Sequence, residues 1–392
     1  MTTPELTLGS ERDATTRYDR THQWWPGYLI AAIVICVASI VGIIVRGALG
    51  EFMLAGAQVV PFAVLALLAY VGLRSDVARI FSLLWLGIVV LGMAGLALLL
   101  TLAPAVTPAS TGNATSVRPG GVGGQLAAVA LWCLVGLIVA VLVLLPPIRR
   151  LLSHIIPIDP NSFVHAVALS VVGGTLIIAF GQLIAAGSKP PLLEMVTNTN
   201  LPEQSTKEQL LNIVYPFLWT VPGALIAVGF PIVRRFGTTL RRLGLVRPSA
   251  LQVLVGVVIA LVLVGGVTLL DVGVTRVWST MGWPRTNGDA FDKLLGAAMS
   301  PAGALLIGVT AGIGEELVVR GALQPRMGIL LSNLFFTSLH AFQYGFDALL
   351  TVFIVGLVLG IVRKRTNTTT SCIVHGVYDF TLIMLTVLGI GQ

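Results

Sequence analysis

The residues of this chain able to do chemistry gather toward its C-terminal end, within stretches that are otherwise apolar. They are Glu315 and Glu316 followed by Arg320, then His340, then His375 and Asp379. Ionisable side chains at membrane depth are rare and costly, and by default they mark a functional site. Carboxyls, imidazoles and a guanidinium brought together are what a buried proton-transfer or hydrolytic centre needs. The spacing suggests roles. Glu315 and Glu316 are adjacent, so on a helix they point about 100° apart and cannot do the same job. Glu316 and Arg320 stand at i,i+4, where a Glu–Arg pair closes and a buried charge finds a partner. Glu315 is then left as the general base facing a cavity. Phe336 and His340 share a helix face at i,i+4, so the aromatic ring walls the imidazole. His375 and Asp379 repeat that spacing. Asp379 either orients His375 or points with it at one substrate oxygen.

A membrane histidine taken alone commonly makes a helix–helix hydrogen bond, and a single i,i+4 ion pair is commonly structural. Depth argues for one site instead. At 1.5 Å per residue, Glu315 lies roughly 12 Å from Leu323 and His340 roughly 18 Å from Gly328. His375 and Asp379 lie roughly 8 Å and 13 Å beyond Thr370. The four are expected in one layer, on the cytoplasmic side of the midplane.

The elements that must position them are membrane helices. The chain is 56% hydrophobic and 10% charged, where soluble domains carry about 25% charged residues. Mean hydropathy is +0.93. This excludes a soluble protein and predicts an all-α, polytopic transmembrane helix bundle. The net charge of +7 does not indicate nucleic acid, because the basic residues cluster in short loops as topology signals do. Cys36, Cys133 and Cys372 show no CxxC spacing, so they read as packing residues rather than a zinc knuckle or disulfide framework. Residues 1–24 lack a signal peptide's apolar run and read as a disordered cytoplasmic tail.

With about 20 apolar residues per span, about eleven candidates follow: 27–47, 52–73, 80–103, 125–147, 163–186, 211–233, 249–271, 301–323, 328–343, 347–362 and 370–390. Most Lys and Arg then fall on the side of the N-terminus, which predicts a cytoplasmic N-terminus and an outside C-terminus. The segment 234–248, with Arg234, Arg235, Arg241, Arg242 and Arg247, reads as a cytoplasmic connector able to lie on anionic lipid. Gly308-xxx-Gly312 and Gly356-xxx-Gly360 put small residues one turn apart, as tight membrane packing requires. No internal repeat is evident.

Glu315-Glu316-xxx-Arg320, Phe336-xxx-His340 and His375-xxx-Asp379, in that order, resemble the EExxxR, FxxxH and HxxxN/D pattern of the CPBP family of intramembrane proteases. That family includes the type II CAAX prenyl endopeptidases and bacterial immunity-associated relatives. The resemblance covers about residues 294–392. It divides the chain into a tail (1–24), an N-terminal transmembrane region without assigned role (25–248) and a protease core (249–392). It implies an endopeptidase in the cell membrane that hydrolyses a membrane-associated, lipidated or unlipidated peptide. By the same resemblance Glu315 activates water, His340 positions it, His375 and Asp379 stabilise the oxyanion, and Glu316, Arg320 and Phe336 shape the site. An ionised Asp379 accepts but does not donate, which favours it as the orienter of His375. Glu315, His340 and His375 also form a donor set for Zn²⁺. There is no HExxH, and metal-independent chemistry is the favoured reading. Two other functions stay open: a catalytically silent scaffold or immunity protein on the same fold, and a proton-coupled transporter, against which the missing repeat counts.

Overall fold

A computed structural model describes residues 47–106, 121–198 and 205–390 continuously, with scattered positions between 27 and 45. The expected tail, most of the 27–47 span and most of the 104–124 loop lie outside the described residues. Every described element is helical. In chain order they are α1 (Ala48–Gly56), α2 (Val60–Val71), α3 (Asp76–Val106), α4 (Gly121–Leu142), α5 (Pro146–Leu152), α6 (Phe163–Ala185), α7 (Pro191–Asn198) and α8 (Thr206–Ala227). Then follow α9 (Phe236–Leu243), α10 (Ala250–Met281), α11 (Gly288–Leu295), α12 (Pro301–Glu316), a π-helical segment (Leu317–Leu323), α13 (Gln324–Leu339), α14 (Phe346–Arg365) and α15 (Thr368–Val387).

Among the described residues eight helices are long and apolar enough to cross a membrane, or nine if the bent pair α1 and α2 is one span. The difference from the expected eleven arises in two places. The 27–47 span is largely undescribed, and Pro301–Phe342 is one continuous run of 42 residues where two spans were expected. A straight helix of that length would reach roughly 63 Å, about twice the hydrocarbon thickness. It is not straight: Gly328 has φ 72° and ψ 172°, a backbone conformation glycine adopts readily and other residues do not. The run therefore turns at Gly328, and α13 packs against α14 and α6 while α12 packs against α15 and α8.

Helix starts are set locally. Ser249 and Gln252 form a capping box for α10, and Ser205 and Glu208 one for α8. Ser300 caps α12 with Pro301 in its first turn. Asn367 caps α15 by accepting from the Thr370 N–H at 2.8 Å, which fixes the register of His375 and Asp379. The short α9 occupies the basic connector. Its Leu243 is fully buried and its Gly244 closes the helix in the left-handed conformation, φ 74°.

The packing that matters most is the crossing of α12 and α15. A Cβ on Gly312 would sit 2.7 Å from the Gly376 Cα, and one on Gly308 would sit 2.7 Å from the Gly376 carbonyl oxygen. Backbone meets backbone, as small residues permit between membrane helices. The second small pair does similar service between α14 and α13: a Cβ on Gly360 would meet Ile329 at 2.8 Å, and one on Gly356 would collide with the Asn333 amide. Outward faces are apolar instead. Leu251, Leu254, Val262 and Leu269 of α10 are exposed, as lipid contact requires. Gly312→Ala or Gly376→Ala should overpack this crossing and cost about 1–3 kcal/mol, read as a lower melting temperature in detergent. Gly265→Ala, where no atom lies within 4 Å of the added carbon, should leave it unchanged.

Candidate active site

The close crossing of α12 and α15 delivers the end of one helix to the middle of the other. Glu316 is fully buried. Its Oε1 lies 3.1 Å from Nδ1 of His375, and its Oε2 accepts a hydrogen bond from the Ser371 hydroxyl. An ionised carboxylate only accepts, so the contact puts a proton on Nδ1 of His375. The other ring nitrogen, Nε2, stands 3.4 Å from Asp379 Oδ2 and 3.9 Å from Glu315 Oε2. One imidazole thus sits among three carboxylates.

The Glu316–Arg320 pair expected from i,i+4 spacing is present at 3.6 Å, which is too long for a hydrogen bond. The reason is the π-helical segment that begins at Leu317. Widening the helix takes residues four apart off a common line, and such bulges recur at functional sites. Arg320 instead donates to the Gly356 carbonyl at 3.1 Å and lies 4.8 Å from the Phe336 ring centroid. It still acts as the counter-charge for Glu316, but His375 and Ser371 make that carboxylate's hydrogen bonds. Glu316 therefore touches the histidine directly, which its expected role of shaping the site had not included.

Phe336 and His340 pack edge to face with centroids 4.7 Å apart. Nδ1 of His340 lies 3.0 Å from the Phe336 carbonyl. A carbonyl only accepts, so Nδ1 carries the proton and the neutral ring offers Nε2 as an acceptor. Phe336 also reaches His375, at 6.2 Å, so one phenyl ring separates both imidazoles from Arg320's side of the cluster.

Glu315, Phe336 and His340 line a cavity of about 830 Å³; His375 and Asp379 are not among its lining residues. Glu315 has 38% of its side chain exposed, against none for Glu316. The adjacent carboxylates thus have different surroundings: one open to a cavity, one enclosed. Much of the remaining wall comes from the N-terminal region, including Phe62, Val171 and Phe217.

Two residues of the cluster escaped the sequence reading, Ser371 and Tyr344. Tyr344 stacks on His340 with centroids 5.9 Å apart and planes 10° apart. Burial, reinforced by the Asp379 carboxylate and more weakly by Glu315, pushes the Tyr344 phenol up, so it stays a neutral donor. A signal for both was available: Ser371 lies four residues before His375 and Tyr344 four after His340, continuing the stripes already noted. Among the described residues no three His, Cys, Asp or Glu side chains are arranged to hold a metal ion. The set Glu315, His340 and His375 does not fit one, because His375 turns both ring nitrogens to carboxylates and Nδ1 of His340 is taken by the Phe336 carbonyl.

An all-helical membrane bundle with this cluster between its helices is the architecture of a multi-pass intramembrane protein. Residues 297–381 match the family model described as Type II CAAX prenyl endopeptidase Rce1-like. That segment contains all seven residues singled out by motif, together with Ser371 and Tyr344. That stretch is accordingly similar to the CAAX-type intramembrane proteases, the family whose motifs the sequence resembles. No curated protein and no solved structure matches the chain.

Removing the counter-charge should be severe. Arg320→Met leaves Glu316 buried with one partner fewer and should cost about 3–5 kcal/mol of stability. Arg320→Lys should recover only part of that, since an ammonium lacks the flat face over Phe336. Chemical denaturation of the purified variants in detergent checks both.

Proposed function

We propose that this protein is an intramembrane endopeptidase of the cell membrane that hydrolyses a peptide bond of a membrane-associated substrate by glutamate-activated water. The observation that carries the reading is the contrast between the two adjacent glutamates. Glu315 is the acidic side chain in the cavity wall, and its enclosed neighbour Glu316 is committed to His375 and Ser371.

In this reading a water between Glu315 and Nε2 of His340 loses its proton to Glu315 as it attacks the scissile carbonyl. His340 accepts from that water and positions it. Glu316 holds His375 from Nδ1, and Nε2 of that ring faces Glu315 at 3.9 Å without a hydrogen bond. Asp379 shares Nε2 of His375 with Glu315 and acts as the orienter rather than as an oxyanion donor. The proton on Glu315 then passes to the leaving amine.

The apolar cavity walls suit a hydrophobic or lipidated peptide, consistent with the prenyl-peptide chemistry named by the matched family. General-base catalysis contributes about 10²–10⁴-fold, so Glu315→Gln should lower single-turnover cleavage of membrane-proximal, prenylated peptides by at least about 10²-fold. Its melting temperature should stay close to wild type, because the side chain is partly exposed. Equal cleavage by wild type and variant, or none by either across a broad panel, would remove the proposal.

A further inference from the structure

His340 stands at the end of α13, where the helix gives way to a turn. Its Nδ1 is tied to the Phe336 carbonyl at 3.0 Å, but one such bond lets a ring swing about the contact. A column of rings opposes the swing. Phe336, His340 and Tyr344 follow one another with centroids 4.7 and 5.9 Å apart. The column then leaves this stretch of chain: Phe291 of α11 lies 4.9 Å from Tyr344, with planes 35° apart. Its outer end is thus closed by a different helix.

That helix is fastened to the start of α14 by a clasp of hydrogen bonds. Asp347 is buried and accepts twice from Thr286, from the N–H at 2.8 Å and from the hydroxyl at 2.6 Å. The Thr286 oxygen in turn accepts the Gly345 N–H at 3.0 Å. Asn287, next in the chain, caps α11 by accepting the Ala290 N–H at 3.1 Å. The clasp therefore fixes where α11 begins, and with it the place of Phe291. Ser188, in the stretch after α6, accepts the Phe346 N–H at 3.2 Å. It does so from a φ of 66°, which residues other than glycine seldom adopt. Two of the N–H groups that a helix start leaves over are thereby satisfied from distant parts of the chain. Gly345 is crowded by all three partners. A Cβ there would lie 2.9 Å from Asp347 Oδ1 and 3.1 Å from both Thr286 Oγ1 and the Ser188 carbonyl oxygen. Between His340 and Gly345, the N–H groups of Gln343 and Tyr344 both donate to the His340 carbonyl. Holding Gly345 thus holds the backbone of His340, and holding Tyr344 holds its ring.

Phe291, Thr286 and Asp347 do not line the cavity, so none of them acts by touching a substrate there. A ring nitrogen positions a water only when the ring itself is fixed, and a misplacement of about 1 Å can cost about 10²-fold in rate. We propose that Phe291 and Asp347 are positioning residues: the Thr286–Asp347 clasp and the ring column ending at Phe291 set the orientation of the His340 imidazole in the cavity wall. The inference rests on the peptidase reading for its effect on catalysis. It adds α11, which lies outside the matched segment 297–381.

The test compares Phe291→Leu, Phe291→Tyr and Asp347→Asn in full-length protein in detergent. Leucine keeps an apolar side chain on α11 and removes the ring, whereas tyrosine keeps the ring. Asparagine keeps the size of Asp347 and offers one accepting oxygen in place of two. Orientation is read without turnover, from acylation of His340 by diethyl pyrocarbonate followed by mass spectrometry, with the exposed His154 as reference. His340 should react at least about threefold faster in Phe291→Leu and Asp347→Asn, because a loosened site opens more often. It should react at the wild-type rate in Phe291→Tyr, and His154 should be unchanged throughout. For prenylated peptides, kcat should fall about 10–100-fold in Phe291→Leu, with KM within about twofold and the melting temperature near wild type. Phe291→Tyr should keep most of the wild-type kcat.

Wild-type acylation of His340 in both Phe291→Leu and Asp347→Asn overturns the positioning, and cleavage by the wild type then leaves the peptidase standing. A loss of cleavage that follows the melting temperature, or that Phe291→Tyr shares with Phe291→Leu, also overturns it and makes Phe291 a packing residue only. Faster acylation of His340 in the variants, with no cleavage by the wild type, keeps the clasp and removes the peptidase.

Discussion

The structure turns on the burial of one negative charge. Glu316 is enclosed on all sides, and an ionised carboxylate taken out of water is tolerated only when it is paired and hydrogen-bonded. Each notable local feature nearby serves that requirement. The glycine-on-glycine crossing of α12 and α15 brings Ser371 and His375 within reach. The π segment redirects Arg320, the Phe336 ring covers the guanidinium, and the Gly356 carbonyl takes its hydrogen bond. Among the described residues Nε and Nη1 of Arg320 have no hydrogen-bond partner, so the guanidinium serves Glu316 mainly as a nearby counter-charge, and removing it would leave the buried carboxylate uncompensated.

Enclosing Glu316 organises its neighbour. His375 is held from one nitrogen by the buried carboxylate and faces Glu315 and Asp379 with the other, so the partly exposed Glu315 has an imidazole 3.9 Å behind it. A second stripe, Phe336, His340 and Tyr344, faces the same region from α13 and the turn after it. The N-terminal region, which carries no chemical motif, supplies much of the cavity wall and part of its cationic lining. The motif residues therefore account for the ionisable cluster, while much of the cavity wall comes from outside the matched segment. Sites of one chemistry grafted onto varied surroundings are a general pattern.

The sequence by itself determined the class of fold and named most of the side chains that gather in the candidate cluster. Apolar runs of span length allow only helices, because backbone groups in lipid must be satisfied within the segment. Residues four apart share a face, so Phe336 with His340 and His375 with Asp379 were legible as pairs, and the same rule would have reached Tyr344 and Ser371. Tertiary structure decided what spacing along one helix cannot. The partner of Glu316 is mainly on α15 rather than four residues on, because the helix changes pitch at Leu317 and a glycine crossing brings another helix closer than its own next turn. The run from Pro301 to Phe342 bends where Gly328 takes a positive φ, which hydropathy does not record. The cationic lining was invisible for the same reason: Arg234 and Arg242 read as a loop's topology signal, and only the packing of α8, α9 and α13 around a common space turns them toward Glu315's cavity. Periodicity reports which face of a helix a residue occupies; which other helix meets that face is a property of the assembled bundle.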